Sequence, residues 1–397
     1  MSVLAGRRVV LGVSGGIAAY KAIEVCRRMV DAGAHVVPVL TEGARHFVGE
    51  TTFSALASEP VQTSLWNEAD PIPHTRLGQS ADLVVVAPAT ARLISAYATG
   101  SSSDLLTATL LATRAPVIVC PAMHTEMWEH PAVQENLETL RRRGVIIVEP
   151  EDGRLAGGDI GAGRLAAPGV IVGMVEATLG PKDLVGLTVL VTAGGTREAI
   201  DPVRFIGNRS SGKQGHALAA EAAARGASVV VVTTSDLPVA AGVTRLRVET
   251  AAEMFDAVMT HRAADVIVMA AAVADFRPIK VADEKIKKSD GLPVVSLERT
   301  ADILATLGAS KSPGQTLVGF AAETTDVAQN AAMKLSAKGA DLLVANDVSA
   351  EAVGFEHETN AVLILSATRP DVRVPLSSKR AVARAVFDEI VGHRSAG

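Results

Sequence analysis

Arg8-Val9-Val10-Leu11-Gly12-Val13-Ser14-Gly15-Gly16 opens one half of the chain, and Thr188-Val189-Leu190-Val191-Thr192-Ala193-Gly194-Gly195-Thr196 opens the other. Each is an unbroken apolar run ending in a glycine turn. Without polar alternation such a run reads as a strand covered on both faces, the pattern of a parallel sheet packed between helices. A helical pattern follows the first turn from Ile17 to Ala32. Further strand-like runs occupy 35–40, 83–87, 117–120 and 145–148 in the first half, and 228–233, 266–269, 316–320 and 342–345 in the second. Ala- and Leu-rich helical stretches separate most of them, Gly215–Arg225 and Val327–Lys338 among them. The alternation predicts α/β architecture with two doubly wound parallel sheets. Ala361–Leu365 reads as an added edge strand.

A chain of 397 residues is too long for one core, so two domains are expected. Gly180-Pro181-Lys182-Asp183 interrupts the periodicity just before a new strand, which predicts domains at 1–180 and 184–397. Hydrophobic residues make up 48% and charged residues 20%, and the net charge is −5 without a Lys/Arg block. Nucleic acid and anionic membrane are therefore disfavoured as partners. The apolar run after Met1–Arg8 is too brief for a signal-peptide core or a membrane span. With only Cys26 and Cys120 present there is no disulfide framework, and a cytoplasmic location is expected.

A glycine turn between strand and helix lets backbone N–H groups meet a phosphate at the positive end of the helix. Ser14-Gly15-Gly16 is such a turn, although many such joints are plain connections. Gly-x-Gly-x-x-Gly is absent there, and the second strand is followed by Thr41, not by the acidic residue that would hold a dinucleotide ribose. A mononucleotide such as FMN fits better than NAD. In the second half, Gly194-Gly195-Thr196 could by itself open an NAD domain, so a two-domain NAD(P)-dependent oxidoreductase stays open at this point. The polar stretch 200–215 that follows, with its small hydroxyls, glycines and cations, suits phosphate binding. The run Glu284-Lys285-Ile286-Lys287-Lys288 taken alone is more often a solvated surface.

Several unusual segments occur in order in the first half. They are Ser14–Lys21, the lone His74 after a Pro-rich loop, Ala87-Pro88-Ala89-Thr90-Ala91, and Pro121-Ala122-Met123-His124-Thr125-Glu126-Met127-Trp128. Together they resemble the flavin-containing cysteine decarboxylases, specifically the phosphopantothenoylcysteine decarboxylase half of the bifunctional proteins of coenzyme A synthesis. The resemblance implies a flavodoxin-like domain holding FMN. It places the FMN phosphate near Ser14, Gly15 and Gly16, with Thr41, Ala89, Thr90, Asp104 and Thr107 lining other parts of the site. It makes His74 the active-site histidine. In that family the cysteinyl group is oxidised to a thioaldehyde, CO2 leaves to give an enethiolate, and the electrons then return. Two departures stand out. His124 occupies the place of the family's asparagine, where it could grip the substrate carboxylate. Gly157, in Leu155-Ala156-Gly157-Gly158, occupies that of a proton-donating cysteine. The stretch Gly153–Arg164 still resembles a mobile lid. A non-catalytic flavin-binding first half is a competing reading.

In the second half, 200–215, Ala271–Phe276, Glu284–Lys288, Gly319–Thr324 and Ala345–Val348 resemble the phosphopantothenate–cysteine ligase half of the same proteins. The resemblance implies a Rossmann-like ligase domain with CTP contacts at Met269, Ala270, Ala271, Asp275, Lys285, Phe320, Lys334 and Lys338. It adds Ala301, Asp302, Ile303 and Leu304, where Ala301 replaces the usual proline. It assigns Asn208 to the activated acyl group. The implied reaction activates 4′-phosphopantothenate with CTP as an acyl-cytidylate, with Mg2+, before cysteine forms the amide. No metal ligands are assigned. Relatives of both halves are oligomeric, which implies a homo-oligomer and, for the joined protein, an assembly such as a dodecamer.

Overall fold

In a computed structural model of the chain the described residues are 2–66, 71–155, 157–158, 160–287, 294–323, 326–347 and 359–396. Five residues of the quoted segments, Ala156, Asp159, Lys288, Thr324 and Val348, lie outside them. The chain divides into two units, Met1–Gly180 and Pro181–Gly397.

In the first unit, strands β1 (Arg8–Val13), β2 (His35–Leu40), β3 (Leu83–Ala89), β4 (Val117–Pro121) and β5 (Ile146–Ile147) form one sheet in the order β2-β1-β3-β4-β5. All neighbours are parallel, with Val9–Gly12 of β1 opposite Leu83–Val86 of β3. An antiparallel hairpin of β6 (Glu151–Arg154) and β7 (Ile160–Arg164) follows. The helices are α1 (Ala19–Asp31), α2 (Glu50–Leu56), α3 (Pro73–Ser80), α4 (Ala91–Thr99), α5 (Leu105–Ala112), α6 (Thr125–Trp128), α7 (Pro131–Arg142) and α8 (Pro168–Leu179).

The apolar run of β1 is continuous because helices cover both of its faces. Val9, Leu11 and Val13 pack with Cys26 and Met29 of α1 and Ile171 and Val175 of α8. Val10 faces the other way, onto Leu77, Ile94 and Leu106. Gly12 belongs to that second face, where a Cβ would come within 2.5 Å of Leu106. Strand order reverses between β1 and β3, so the crevice beyond their carboxyl ends is where this topology receives a ligand.

In the second unit the strands are β8 (Thr188–Ala193), β9 (Arg197–Ala199), β10 (Phe205–Gly207), β11 (Ser228–Thr233), β12 (Val243–Arg247), β13 (Val266–Met269), β14 (Phe276–Pro278), β15 (Leu297–Arg299), β16 (Thr316–Glu323), β17 (Leu342–Asp347), β18 (Thr359–Ser366) and β19 (Val372–Ser378). Eight of them form the sheet β12-β11-β8-β13-β16-β17-β18-β19, parallel through β17, with β18 antiparallel to both β17 and β19. The ribbons β9–β10 and β14–β15 stand apart from it. Helices α9 (Lys213–Ala224), α10 (Ala251–Thr260), α11 (Ile303–Ala309), α12 (Val327–Lys338) and α13 (Lys379–Ala396) complete the unit. Val189 and Val191 pack on α9 and α13, whereas Leu190 packs toward α10 and α11.

The edge-strand expectation is corrected here. Ala361–Leu365 lies in β18, which is flanked by β17 and β19, so the sheet ends at β19. The polar alternation of β19, with Arg373, Ser377 and Ser378, leaves its apolar signal too weak to read from sequence.

Candidate functional site

A cavity of about 1150 Å³ in the first unit opens beyond the carboxyl ends of β1 and β3. Ser14 builds its floor: its Oγ donates to the Pro88 carbonyl at 2.8 Å and accepts from the Thr90 N–H at 3.0 Å, joining the two loops at the switch point. Gly15 has no room for a side chain, since a Cβ there would sit 2.6 Å from the carbonyl carbon of Gly43. This close approach brings the turn after β2 against the turn after β1. Thr41 caps that second turn by accepting from the Ala44 N–H at 3.3 Å. The backbone of Gly16 leads into α1, where the Ala19 N–H already donates to the Gly16 carbonyl at 2.9 Å, and the positive end of the helix favours a phosphate beside the turn. Asp104 and Thr107 form a reciprocal cap on α5, the Thr107 N–H reaching Asp104 Oδ1 at 2.7 Å, while both also line the cavity.

Of the residues expected at the flavin, Ser14, Gly15, Gly16, Thr41, Thr90, Asp104 and Thr107 line the cavity, as does His124. Ala89 does not. It is fully buried within β3, opposite Pro121, and supports the wall from behind. Nor does His74, which lies in the first turn of α3 outside the lining, with a buried Nδ1 that has no hydrogen-bond partner among the described residues. His124 Nδ1 is 3.5 Å from Glu126 Oε2.

The expected lid is the β6–β7 hairpin, docked directly on the Pro121–Trp128 segment. Met123 N–H donates to the Gly163 carbonyl at 2.9 Å, and Thr125 Oγ1 donates to that of Ala162 at 2.8 Å. Gly163 adopts φ +131°, and a Cβ there would fall 2.2 Å from the Met123 carbonyl oxygen, so only glycine permits this contact. The hairpin brings Arg154 and Arg164 to the cavity, where they join Lys21 and Arg92. Lys21 donates to the Leu165 carbonyl at 2.9 Å. Burial, with the Arg164 charge nearby, holds its ammonium below the ordinary lysine range. Against these four cations stand Glu42 and Asp104, so the cavity favours an anion. Lys21, Arg154 and Arg164 carried no signal along the chain, because only the return of the hairpin to α1 brings them together.

Both thiols lie outside the cavity and are buried. Burial pushes Cys26 up to about 11 and Cys120 further still. Neither replaces the thiol missing at Gly157.

In the second unit the corresponding crevice lies beyond β8 and β13, where strand order again reverses. Two threonine hydroxyls hold its wall. Thr192 Oγ1 accepts from the Ala271 N–H at 3.1 Å, and Thr196 Oγ1 from that of Ala274 at 2.9 Å. Asn208 Nδ2 donates to the Val273 carbonyl at 2.9 Å, and the Thr300 N–H to that of Asp275 at 3.0 Å. Gly195 allows this closeness, since a Cβ would lie 2.3 Å from the Asn208 carbonyl oxygen.

The structure thus gathers Asn208 and the segment Met269–Asp275, and packs Met269 and Ala271 with Ile303 and Leu304. Asp302 caps α11 through the Ala305 N–H at 2.9 Å and pairs with Lys338. Ala301 is exposed beside it, and Phe320 follows Gly319, over which Leu304 packs. Lys334 is exposed one turn before Lys338, and Lys285 is exposed in a separate loop. The supporting roles of Thr192 and Thr196 were not legible in the sequence, because a threonine at the end of an apolar strand reads as core and one after a glycine turn reads as part of the turn. No group of three His, Cys, Asp or Glu residues suited to a metal occurs among the described residues, and no helix among them is long and apolar enough to cross a membrane.

Residues 2–180 match the family model described as Flavoprotein, and residues 184–393 that described as DNA/pantothenate metabolism flavoprotein C-terminal domain. The chain is 50% identical to the coenzyme A biosynthesis bifunctional protein CoaBC of Mycobacterium bovis, over 97% of this chain and 96% of that one. It is 45% identical to the Bacillus subtilis protein of the same name, over 98% and 97%. Among solved structures, the C-terminal domain of a coenzyme A biosynthesis bifunctional protein CoaBC is 40% identical, covering 54% of this chain and 100% of that one at a TM-score of 0.47. The FMN-binding protein AtHal3 is 32% identical, covering 43% and 94% at 0.39. The chain belongs to the bifunctional enzymes of coenzyme A biosynthesis, in which a flavoprotein phosphopantothenoylcysteine decarboxylase is joined to a phosphopantothenate–cysteine ligase.

Proposed function

We propose that the first unit holds FMN in the cavity beyond β1 and β3 and decarboxylates phosphopantothenoylcysteine there. The second unit makes that compound from 4′-phosphopantothenate and cysteine, using CTP and an acyl-cytidylate. The observation that carries the first assignment is the cationic cavity whose floor is the Ser14–Gly16 turn at the start of α1. FMN, when bound, supplies the two-electron chemistry that makes loss of CO2 easy. The phosphate of the flavin suits the Gly15–Gly16 backbone, and the flavin body suits Thr41, Thr90, Asp104 and Thr107. Lys21, Arg154 and Arg164 attract the anionic substrate, and His124 offers its carboxylate a partner that can carry charge. His74 acts from a second copy of the chain in a homo-oligomer, a reading supported by its position outside the lining of its own cavity.

In the second unit Lys285, Lys334 and Lys338 serve the triphosphate, and Asn208, with Nδ2 committed to Val273, turns its amide oxygen to the acyl group. The residues Met269–Asp275, Ala301–Leu304 and Phe320 hold the nucleoside. Magnesium, which takes few protein ligands when it travels with phosphates, fits a unit without a three-carboxylate cluster among its described residues. The two buried thiols suit a reducing, cytoplasmic setting.

An assay of the whole protein with each substrate omitted in turn tests both halves. Pyrophosphate and CMP should appear only when CTP, cysteine and 4′-phosphopantothenate are all present, and CO2 only when phosphopantothenoylcysteine is present or formed. A yellow protein that releases no CO2 would leave the first unit a flavin-binding module. Absence of pyrophosphate would overturn the ligase assignment.

A further inference from the structure

The turn between β9 and β10 makes an unusual attachment to a distant loop. The Asp201 carboxylate is fully buried, yet it belongs to a turn whose neighbours Pro202, Val203 and Arg204 are exposed. Its oxygens accept from the N–H groups of Val203 and Arg204, both at 2.8 Å, from Arg204 Nε at 2.9 Å, and from the N–H of Ile286 at 3.2 Å. Arg204 closes the arrangement, its Nη2 donating to the Ile286 carbonyl at 2.5 Å. Both backbone groups of one peptide-chain residue, 85 positions away, are thus taken by one acid–base pair. A second tie lies four residues earlier, where the Ala282 N–H donates to the Ile200 carbonyl at 2.9 Å.

Ile286 stands between two lysines. Lys285 and Lys287 are both exposed, and among the described residues neither has a hydrogen bond or an ion pair. The loop is therefore fixed through its backbone while its cations stay uncommitted. An ordinary surface salt bridge would do the reverse, spending the ammonium groups to hold the loop. Burial alone would raise the Asp201 carboxyl, but the N–H donors of Val203, Arg204 and Ile286 and the Arg204 charge hold it below the usual aspartate range. The pair therefore stays charged throughout the neutral range.

We propose that Asp201 is a positioning residue of the ligase: with Arg204 it clamps Ile286 so that Lys285 and Lys287 are presented together, already ordered, to the polyphosphate of the nucleotide. Ordering the loop in advance removes an entropic cost from nucleotide binding. This rests on the ligase reading above and adds Asp201 and Lys287 to it.

The test is Asp201→Asn in the full chain, with Arg204→Lys as a second variant that keeps the charge but loses the forked donors. Initial rates of CTP-dependent pyrophosphate release would be measured beside hydrogen exchange of 282–287. The expected result is a KM for CTP raised about tenfold or more, with the KM for cysteine unchanged and faster exchange across 282–287. Arg204→Lys should move both readings in the same direction. The calorimetric unfolding transition of the second unit should persist in both variants, which establishes that the ligase unit has folded. Faster exchange with an unaltered KM for CTP would overturn the proposal, as would unaltered exchange in both variants. Wild-type protein that releases no pyrophosphate with CTP would instead sink the ligase reading, while the exchange data would still decide whether the clamp exists.

Discussion

At the scale of the residue, two positions of the first unit invite direct tests. Gly15→Ala would drive a Cβ to within 2.6 Å of the Gly43 backbone, which cannot move without displacing Thr41. Overpacking of this kind costs about 1–3 kcal/mol, so the purified variant should lose flavin affinity about tenfold or more, read by the yellow absorbance retained on dialysis. His124→Asn removes the cavity-lining imidazole of the Pro121–Trp128 segment. The variant should bind phosphopantothenoylcysteine more weakly, with the KM for decarboxylation raised about tenfold or more while the yellow absorbance is retained. An unaltered KM would remove His124 from substrate binding. The glycine turn itself was legible because strand, glycine and helix are contiguous. The cations Lys21, Arg154 and Arg164 were not, because a hairpin more than a hundred residues later delivers two of them. Ala89 misled for a related reason: a residue inside β3 can border a site in sequence and still be sealed by its neighbours.

At the scale of the element, the second unit is tied at one end by Arg225. Its side chain is 3% exposed and makes a forked pair with Asp183, at 2.8 and 2.6 Å, and a bond to Asp388 of α13 at 2.7 Å. Arg225→Met would strand these acids, but both reach solvent, so the loss falls near the low end for buried pairs, about 2–3 kcal/mol. The melting temperature of the second unit should drop by about 5–10 °C. The pH dependence follows from the same contacts. Hydrogen bonds from Arg225 hold the Asp183 carboxyl below its usual 3.8, and those from Thr188 do so for Asp265. A depressed carboxyl stabilises the fold fully above its unfolded value and loses that contribution as pH falls through the folded one. Urea midpoints should therefore change little with these groups from pH 7 to about 5 and fall below about pH 4. The gap between wild type and Arg225→Met should narrow over that acid limb; a constant gap would show that Asp183 is not held by Arg225. The long strands were readable because burial on both faces leaves uninterrupted apolar runs. The short ribbons β9–β10 and β14–β15 and the hairpin β6–β7 are rich in Gly, Arg and Glu, with too few residues to establish a period, so their pairing exists only in the fold.

At the scale of the whole molecule, each unit has its own cores, with Phe53 among the largest buried side chains of the first and Phe387 of the second. Ligands that bind only the folded form stabilise only the unit they occupy. Calorimetry should show FMN raising one unfolding transition and CTP the other, whereas a single transition raised by either ligand would contradict separate cores. The burial of both thiols has a consequence of a different kind. Reagents such as iodoacetamide and hydrogen peroxide attack the thiolate, and their rate follows its population and its access to solvent. Cys26 and Cys120 offer little of either, and no other cysteine exists in the chain. The protein treated with peroxide or an alkylating agent, and freed of the reagent before substrate is added, should therefore keep its activity under conditions that silence enzymes whose reaction passes through sulfur of their own.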